Sequence, residues 1–130
     1  MSEENVELVR EGIEAFNRGD IDWLLERIDD DFVFDWSRSR SPLRGVYRGP
    51  DGVAGFLREQ WNSFEEFVVE PWEFIDRGRH VVVPLTLRAR GREGIAVSAD
   101  NTHVYTVEDG RVASVALYQQ TDEALAATVG

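Results

Sequence analysis

His103 stands in an alternating run, Ile95 to Val107, that sets Asn101, His103 and Tyr105 on one face of a strand together with Ile95, Val97, Ala99 and Val107. An imidazole with an unperturbed pKa of about 6.5 suits general acid or base work at neutral pH. The amide of Asn101 and the phenol of Tyr105 flank it at the spacing that would orient a substrate. Beside this stands a plainer reading, a buried histidine satisfied by a neighbouring hydroxyl or carbonyl, because no group that would orient a base is visible near it in sequence. Trp36, Trp61 and Trp72 are candidate walls for a flat or apolar ligand, and they are equally what fills a closed core.

The carboxylates offer less. Asp35 alternates away from Trp36 in the run Asp31 to Trp36, so a Trp36 that faces a pocket turns Asp35 to the opposite surface, toward an ion pair with an arginine of the following loop. A water-activating hydrolase would need Asp35 to converge with Asp100 or Asp122. Tyr47 and Tyr118 could each offer a phenol to a ligand, with packing and a satisfied hydroxyl as the alternative.

The elements that must position these groups are legible as periodicities. Val6, Val9, Ile13 and Phe16 recur at helical spacing, with Ser2 placed to cap and Glu3 and Glu4 in the first turn, where the helix dipole favours negative charge. Asn17-Arg18-Gly19 reads as the stop, and Asp20 can cap a short second helix with Ile21, Leu24, Leu25 and Ile28 as its stripe. A third helix is predicted from Pro50 to Phe64, lined by Val53, Phe56, Leu57, Trp61 and Phe64. Strands are predicted over Asp31–Trp36, Val68–Asp76 with an interruption at Pro71, His80–Arg90, Ile95–Val107 and Val112–Gln119, the last two joined by an Asp109-Gly110 turn. Ser37 to Pro42 reads as a loop that could form a rim, Gly45 to Gly49 as a short connector, and Thr121 to Val129 as a frayed helix or tail. Helices first and antiparallel strands later give an α+β fold with the sheet curling around the helices.

Composition bounds the function. The 130 residues make one domain, with 14 Lys and Arg against 25 Asp and Glu and a net charge of −11. That charge repels nucleic acid and anionic membrane surfaces, and no apolar run approaches the roughly 20 residues of a spanning helix. The acidic opening Met1 to Asn5 does not resemble an export signal, which makes the cytoplasm the expected address. With no cysteine and only His80 and His103, thiolate chemistry is excluded and a metal site is not expected. The run Val81-Val82-Val83-Pro84-Leu85 is apolar on both faces, so helices should cover one side and a second subunit the other; a homodimer through the outer sheet face is expected. Arg88 and Arg90 project on the face opposite Val81, Val83, Leu85 and Leu87, toward a dimer partner or solvent.

Phe16-Asn17-Arg18-Gly19-Asp20, Asp30 to Trp36, Tyr47-Arg48-Gly49 and Val107 to Val112, in that order and spacing, resemble the nuclear transport factor 2-like superfamily and its SnoaL-like branch, named for a polyketide cyclase. The resemblance covers nearly the whole chain, residues 1–130, as a single SnoaL-like domain. It implies a cone-shaped curved antiparallel sheet wrapped around three N-terminal helices, a conical pocket and frequent dimers. It does not imply one chemistry, since such folds host isomerases, cyclases, dehydratases, hydrolases and pure binders.

Ketosteroid isomerase, in the same superfamily, combines an Asp base with an oxyanion hole of Tyr and protonated Asp. Matched onto it, Gly12 falls where that Tyr sits and Trp36 where the base sits, so its mechanism does not carry over. Matching the Asp109-Gly110 hairpin with a one-residue gap puts His103 at the oxyanion-hole position, and without the gap Thr102; the same match brings Gln119 to the pocket mouth beside His103. The expectation is a small, mainly apolar organic ligand bound by Trp36, Trp61, Trp72, Asn101, Tyr105 and Gln119. If the site catalyses, His103 would move a proton in a cyclisation, isomerisation or dehydration, which needs no cofactor. The rival is a non-catalytic or stress-associated module whose pocket holds a ligand or is filled by its own side chains.

Overall fold

The computed structural model describes residues 2–40 and 44–128. Helix α1 spans Ser2–Asn17 and buries Val9, Ile13 and Ala15, the inward positions of its apolar stripe. It ends where Gly19 adopts a left-handed φ of 73°, after which the Asp20 carboxylate accepts from the Trp23 backbone N–H at 3.1 Å and caps α2, Ile21–Leu25. Ile28 lies beyond α2 and opens strand β1, Ile28–Asp35. The predicted cap at Ser2 falls on a side chain outside those described, as do Ser41 and Pro42 of the predicted rim and Val129 of the predicted tail.

Strand β2 is Val46–Arg48, α3 is Gly49–Ser63, β3 is Phe64–Pro71 and β4 is Ile75–Arg77. The long strands β5, His80–Gly91, and β6, Ala96–Glu108, lead to β7, Arg111–Tyr118, and to helix α4, Thr121–Ala127. The sheet order is β2-β1-β7-β6-β5-β3, with β4 on β5. Pro71 explains the split between β3 and β4: the chain leaves the ladder there, and the two strands then pair with successive stretches of β5. The Asp109-Gly110 turn has φ of 53° and 76° at its two residues, the mirror-image turn that matches the twist of a tight hairpin.

Two expectations are corrected. The sheet is mixed, because β1 pairs in parallel with β7 through Val33 beside Ser114, Phe34 beside Val115 and Asp35 beside Ala116. The outer face of β5 is also partly covered from within the chain: Ala124 of α4 packs on Val82 and Val104, with Ile75, Tyr118 and Leu125 around them. On the inner face, α1 packs Val9 and Ile13 against Val69, Val81, Val83 and Leu85, while α3 packs Val53, Phe56 and Leu57 against Ile28, Phe32, Trp36, Val115 and Leu117. Arg88 and Arg90 stay on the outer face, Arg88 paired with Glu70 and Arg90 with Glu66 at 3.3 Å.

Candidate functional site

Between the inner sheet face and the helices lies a cavity of about 110 Å³. Its wall is almost wholly apolar, drawing on Phe32, Phe34, Phe56 and Val115 among others, with Gly12 of α1 and Trp23, Leu24 and Arg27 of the α2 region at one end. Strand alternation turns Phe32, Phe34 and Trp36 inward, and their rings pack edge to face with centroids 6.0 to 6.3 Å apart. Phe56 of α3 closes on this row, its centroid 5.0 Å from that of Trp36.

Three buried polar groups on this wall lack partners. His103, Trp36 and Gln60 all line the cavity and are 4 %, 3 % and 2 % exposed, and His103 Nε2, the Trp36 indole Nε1 and Gln60 Oε1 are buried with no hydrogen-bond partner. Such groups each cost about 1–3 kcal/mol when left unpaired, and these three residues line one cavity. His103 lies opposite Leu117 on β7, and Asp35 lies beside Ala116, so Trp36 and His103 occupy the same row two strands apart, about 10 Å between backbones. Gln60 follows Phe56 by one helical turn on the same inward face.

Burial pushes the His103 imidazole down to about 4, which keeps it neutral at pH 7. Tyr105 also lines the cavity, 6.2 Å from His103 between ring centroids, and burial pushes its phenol up. Arg27 is the one cationic side chain among the described lining residues; it donates to the Trp23 carbonyl at 3.0 Å and lies 3.8 Å over the Trp23 ring. No carboxylate is among the lining residues, and the described residues hold no cluster of His, Asp and Glu able to bind a metal.

The structure thus brings together His103, Trp36 and Tyr105 and separates the other candidates from them. Trp61 packs on Phe16 at 5.6 Å and Asn101 is buried, yet neither lines the cavity. Trp72 is 60 % exposed and donates its indole N–H to the Thr86 hydroxyl at 2.8 Å, well away from the wall it was expected to form. Gln119 donates to the Arg38 carbonyl at 2.6 Å instead of reaching His103. Tyr47 stacks on Phe56 at 4.4 Å and Tyr118 lies under the Arg38 guanidinium at 4.3 Å.

Of the two residues offered at the hairpin, His103 lines the cavity, whereas Thr102 faces outward and shares a hydrogen bond of 2.8 Å with Thr121 of α4. Gly12, Trp36 and His103, the three positions matched to the isomerase site, line one cavity. Asp35 accepts from the Ser37 hydroxyl at 2.6 Å and pairs with Arg38 at 3.3 Å. Burial raises its carboxyl, but those hydrogen bonds and the Arg38 charge outweigh this and leave it below the usual range. Asp100 accepts from Thr86 at 3.0 Å, four residues along β6 from Val104, the residue level with Ala116. That is about 13 Å along a strand plus two strand spacings from Asp35, so Asp35 and Asp100 do not converge; Asp122 is exposed on α4.

Sequence reasoning missed Gln60. Its signal was position: Gln60 falls seven after Val53, four after Phe56 and three after Leu57, the inward stripe itself, where a polar residue is unexpected.

A family model for the SnoaL-like domain matches residues 9–115. The chain belongs to the SnoaL-like family. A solved NTF2-like protein of unknown function from Burkholderia pseudomallei is 29 % identical, with 98 % of each chain covered and a TM-score of 0.77. TerC, co-crystallised with polyporic acid, is 24 % identical over 96 % of this chain and 98 % of its own, with a TM-score of 0.77. RV0760c of Mycobacterium tuberculosis, in complex with estradiol-17beta-hemisuccinate, is 15 % identical over 92 % and 95 %, with a TM-score of 0.79. The last two establish likeness of fold for this SnoaL-like chain. No curated protein matches it.

Proposed function

We propose that this SnoaL-like protein binds a small, mainly apolar organic molecule inside the cone, held by hydrogen bonds from His103 and its neighbours. The supporting observation is the unpartnered His103 Nε2 on the wall of an apolar cavity of about 110 Å³. An engineered apolar cavity of about 150 Å³ admits benzene, so this one suits a ligand of about one ring. Two proteins of the same fold hold organic ligands, polyporic acid in one and a hemisuccinate ester in the other.

Binding is favoured over proton transfer by His103. An imidazole held down to about 4 is a weak base, and no carboxylate lines the cavity to take or relay a proton. In the tautomer that carries its proton on Nε2, the neutral imidazole is an N–H donor, which with the Trp36 indole could polarise a carbonyl. A thermal-shift screen of ring-sized compounds tests the reading against Gly12→Leu, whose added side chain grows from a position with nothing within 4 Å of a built Cβ and fills the cavity. Compounds should raise the midpoint of the native protein and not of the variant, the stabilisation being about 2.7 kcal/mol at a hundredfold excess over Kd. Absence of any shift, or equal shifts in both proteins, contradicts it. We also propose a homodimer through the outer sheet face that α4 leaves uncovered, where Trp72 is 60 % exposed beside Thr86.

A further inference from the structure

The three unpartnered atoms differ in what they demand. The Trp36 indole can only donate, so it needs an acceptor on the ligand; Gln60 Oε1 can only accept, so it needs a donor. His103 Nε2 serves either, according to which ring nitrogen carries the proton. Apart from the Tyr105 phenol and the Arg27 guanidinium, the rest of the wall offers rings and aliphatic groups, where a ligand charge would be costly to bury. Arg27, the cation among the described lining residues, already donates to the Trp23 carbonyl, lies over the Trp23 ring and has Glu26 3.7 Å away, which lowers its pull on a ligand anion. A net charge of −11 further disfavours an anionic ligand.

We propose that the ligand of this cavity is a neutral, single-ring aromatic compound carrying a hydrogen-bond acceptor and a hydroxyl or amine donor on separate edges, read by Trp36, His103 and Gln60. The proposal rests on the small-molecule reading above and narrows it to a chemical class. Trp36 and His103 lie in one sheet row about 10 Å apart, and Gln60 comes from the helix that closes on them, so the polar groups approach a ring from more than one side. The aromatic edges and faces of Phe34, Trp36 and Phe56, packed at centroid distances of 5.0 to 6.0 Å, suit a flat partner. Neither Trp36 nor Gln60 acts on another residue through these atoms, which leaves them for the ligand.

The test uses the intact chain and three probes of nearly one shape: 4-hydroxyacetophenone, which is neutral with acceptor and donor; 4-ethyltoluene, its hydrocarbon counterpart; and 4-hydroxybenzoate, an anion. Calorimetric titration should give 4-hydroxyacetophenone about tenfold or more over both others, the size expected where a buried hydrogen bond is gained or forfeited. The preference over 4-ethyltoluene should shrink severalfold in Trp36→Phe and in Gln60→Met. The native protein alone decides the class, so a variant that fails to fold does not obscure the result. Equal or tighter binding of 4-ethyltoluene overturns the class while leaving the cavity a binding site. Tighter binding of 4-hydroxybenzoate does the same and assigns a charged ligand. Binding of none of the three overturns both the class and the reading beneath it.

Discussion

Gln60→Met should stabilise the unliganded protein and weaken its hold on a ligand. Gln60 is 2 % exposed, lines the cavity and leaves Oε1 without a partner. Methionine keeps the length and most of the volume while removing the polar atom. An unpaired buried polar group costs about 1–3 kcal/mol, so the unliganded variant should be more stable by roughly that amount. With an unfolding entropy of about 2.1 cal/mol/K per residue, a chain of this length gives about 0.27 kcal/mol/K, and each kcal/mol moves the midpoint by about 4 °C. The expected rise is therefore about 4–11 °C by calorimetry or circular dichroism. The same variant should bind the hydroxylated ring compound less well, a trade of affinity for stability that is common where a site is built from strained or unpaired groups. A midpoint that falls by several degrees would refute the reasoning, because it would mean that the Gln60 amide holds the fold together.

His103 sets a pH dependence. Its folded pKa of about 4 lies below the unfolded value of 6.5, so between those values the unfolded chain binds more protons. Stability should be full above pH 6.5 and fall on acidification, by roughly 2 kcal/mol at pH 5; His103→Gln should lose this slope, which subtracts the smaller contribution of His80, and an unchanged slope would contradict the burial argument. Asn17 fixes α1 to the sheet by donating to the Val69 carbonyl at 2.8 Å and accepting from its N–H at 2.9 Å, so Asn17→Ala should cost about 2 kcal/mol by urea denaturation, with a loss under about 0.5 kcal/mol counting against it. Sedimentation at micromolar concentration should give twice 14.8 kDa for the native chain and a shift toward monomer for Trp72→Asp; monomer alone in the native protein would defeat the proposed dimer.

What was legible in the sequence was what local physics writes there. The stripe of Val9 and Ile13, the Asp20 cap and the Asp109-Gly110 turn each carry their structure in a few adjacent residues, and each forms as read. The inward row Phe32, Phe34 and Trp36 followed from alternation alone. The parallel pairing of β1 with β7 joins residues some eighty apart and leaves no local mark. Trp72 went astray because it was placed in the wall by residue type alone: Pro71 ends β3 beside it, and its ring lies on the surface. Asn17 read as a helix stop, whereas its side chain reaches a strand fifty-two residues on. Gln60 was hidden by its type: polarity marks a residue as surface until the stripe around it is counted.

The central claim is that the unpartnered groups of the cavity capture a ligand, and the indole N–H resonances report on it directly. In a proton–nitrogen correlation spectrum, the Trp36 signal, assigned by its loss in Trp36→Phe, should shift saturably on titration with 4-hydroxyacetophenone while that of exposed Trp72 stays in place. Movement of Trp72 with Trp36 unmoved, or no movement of either, would contradict the account.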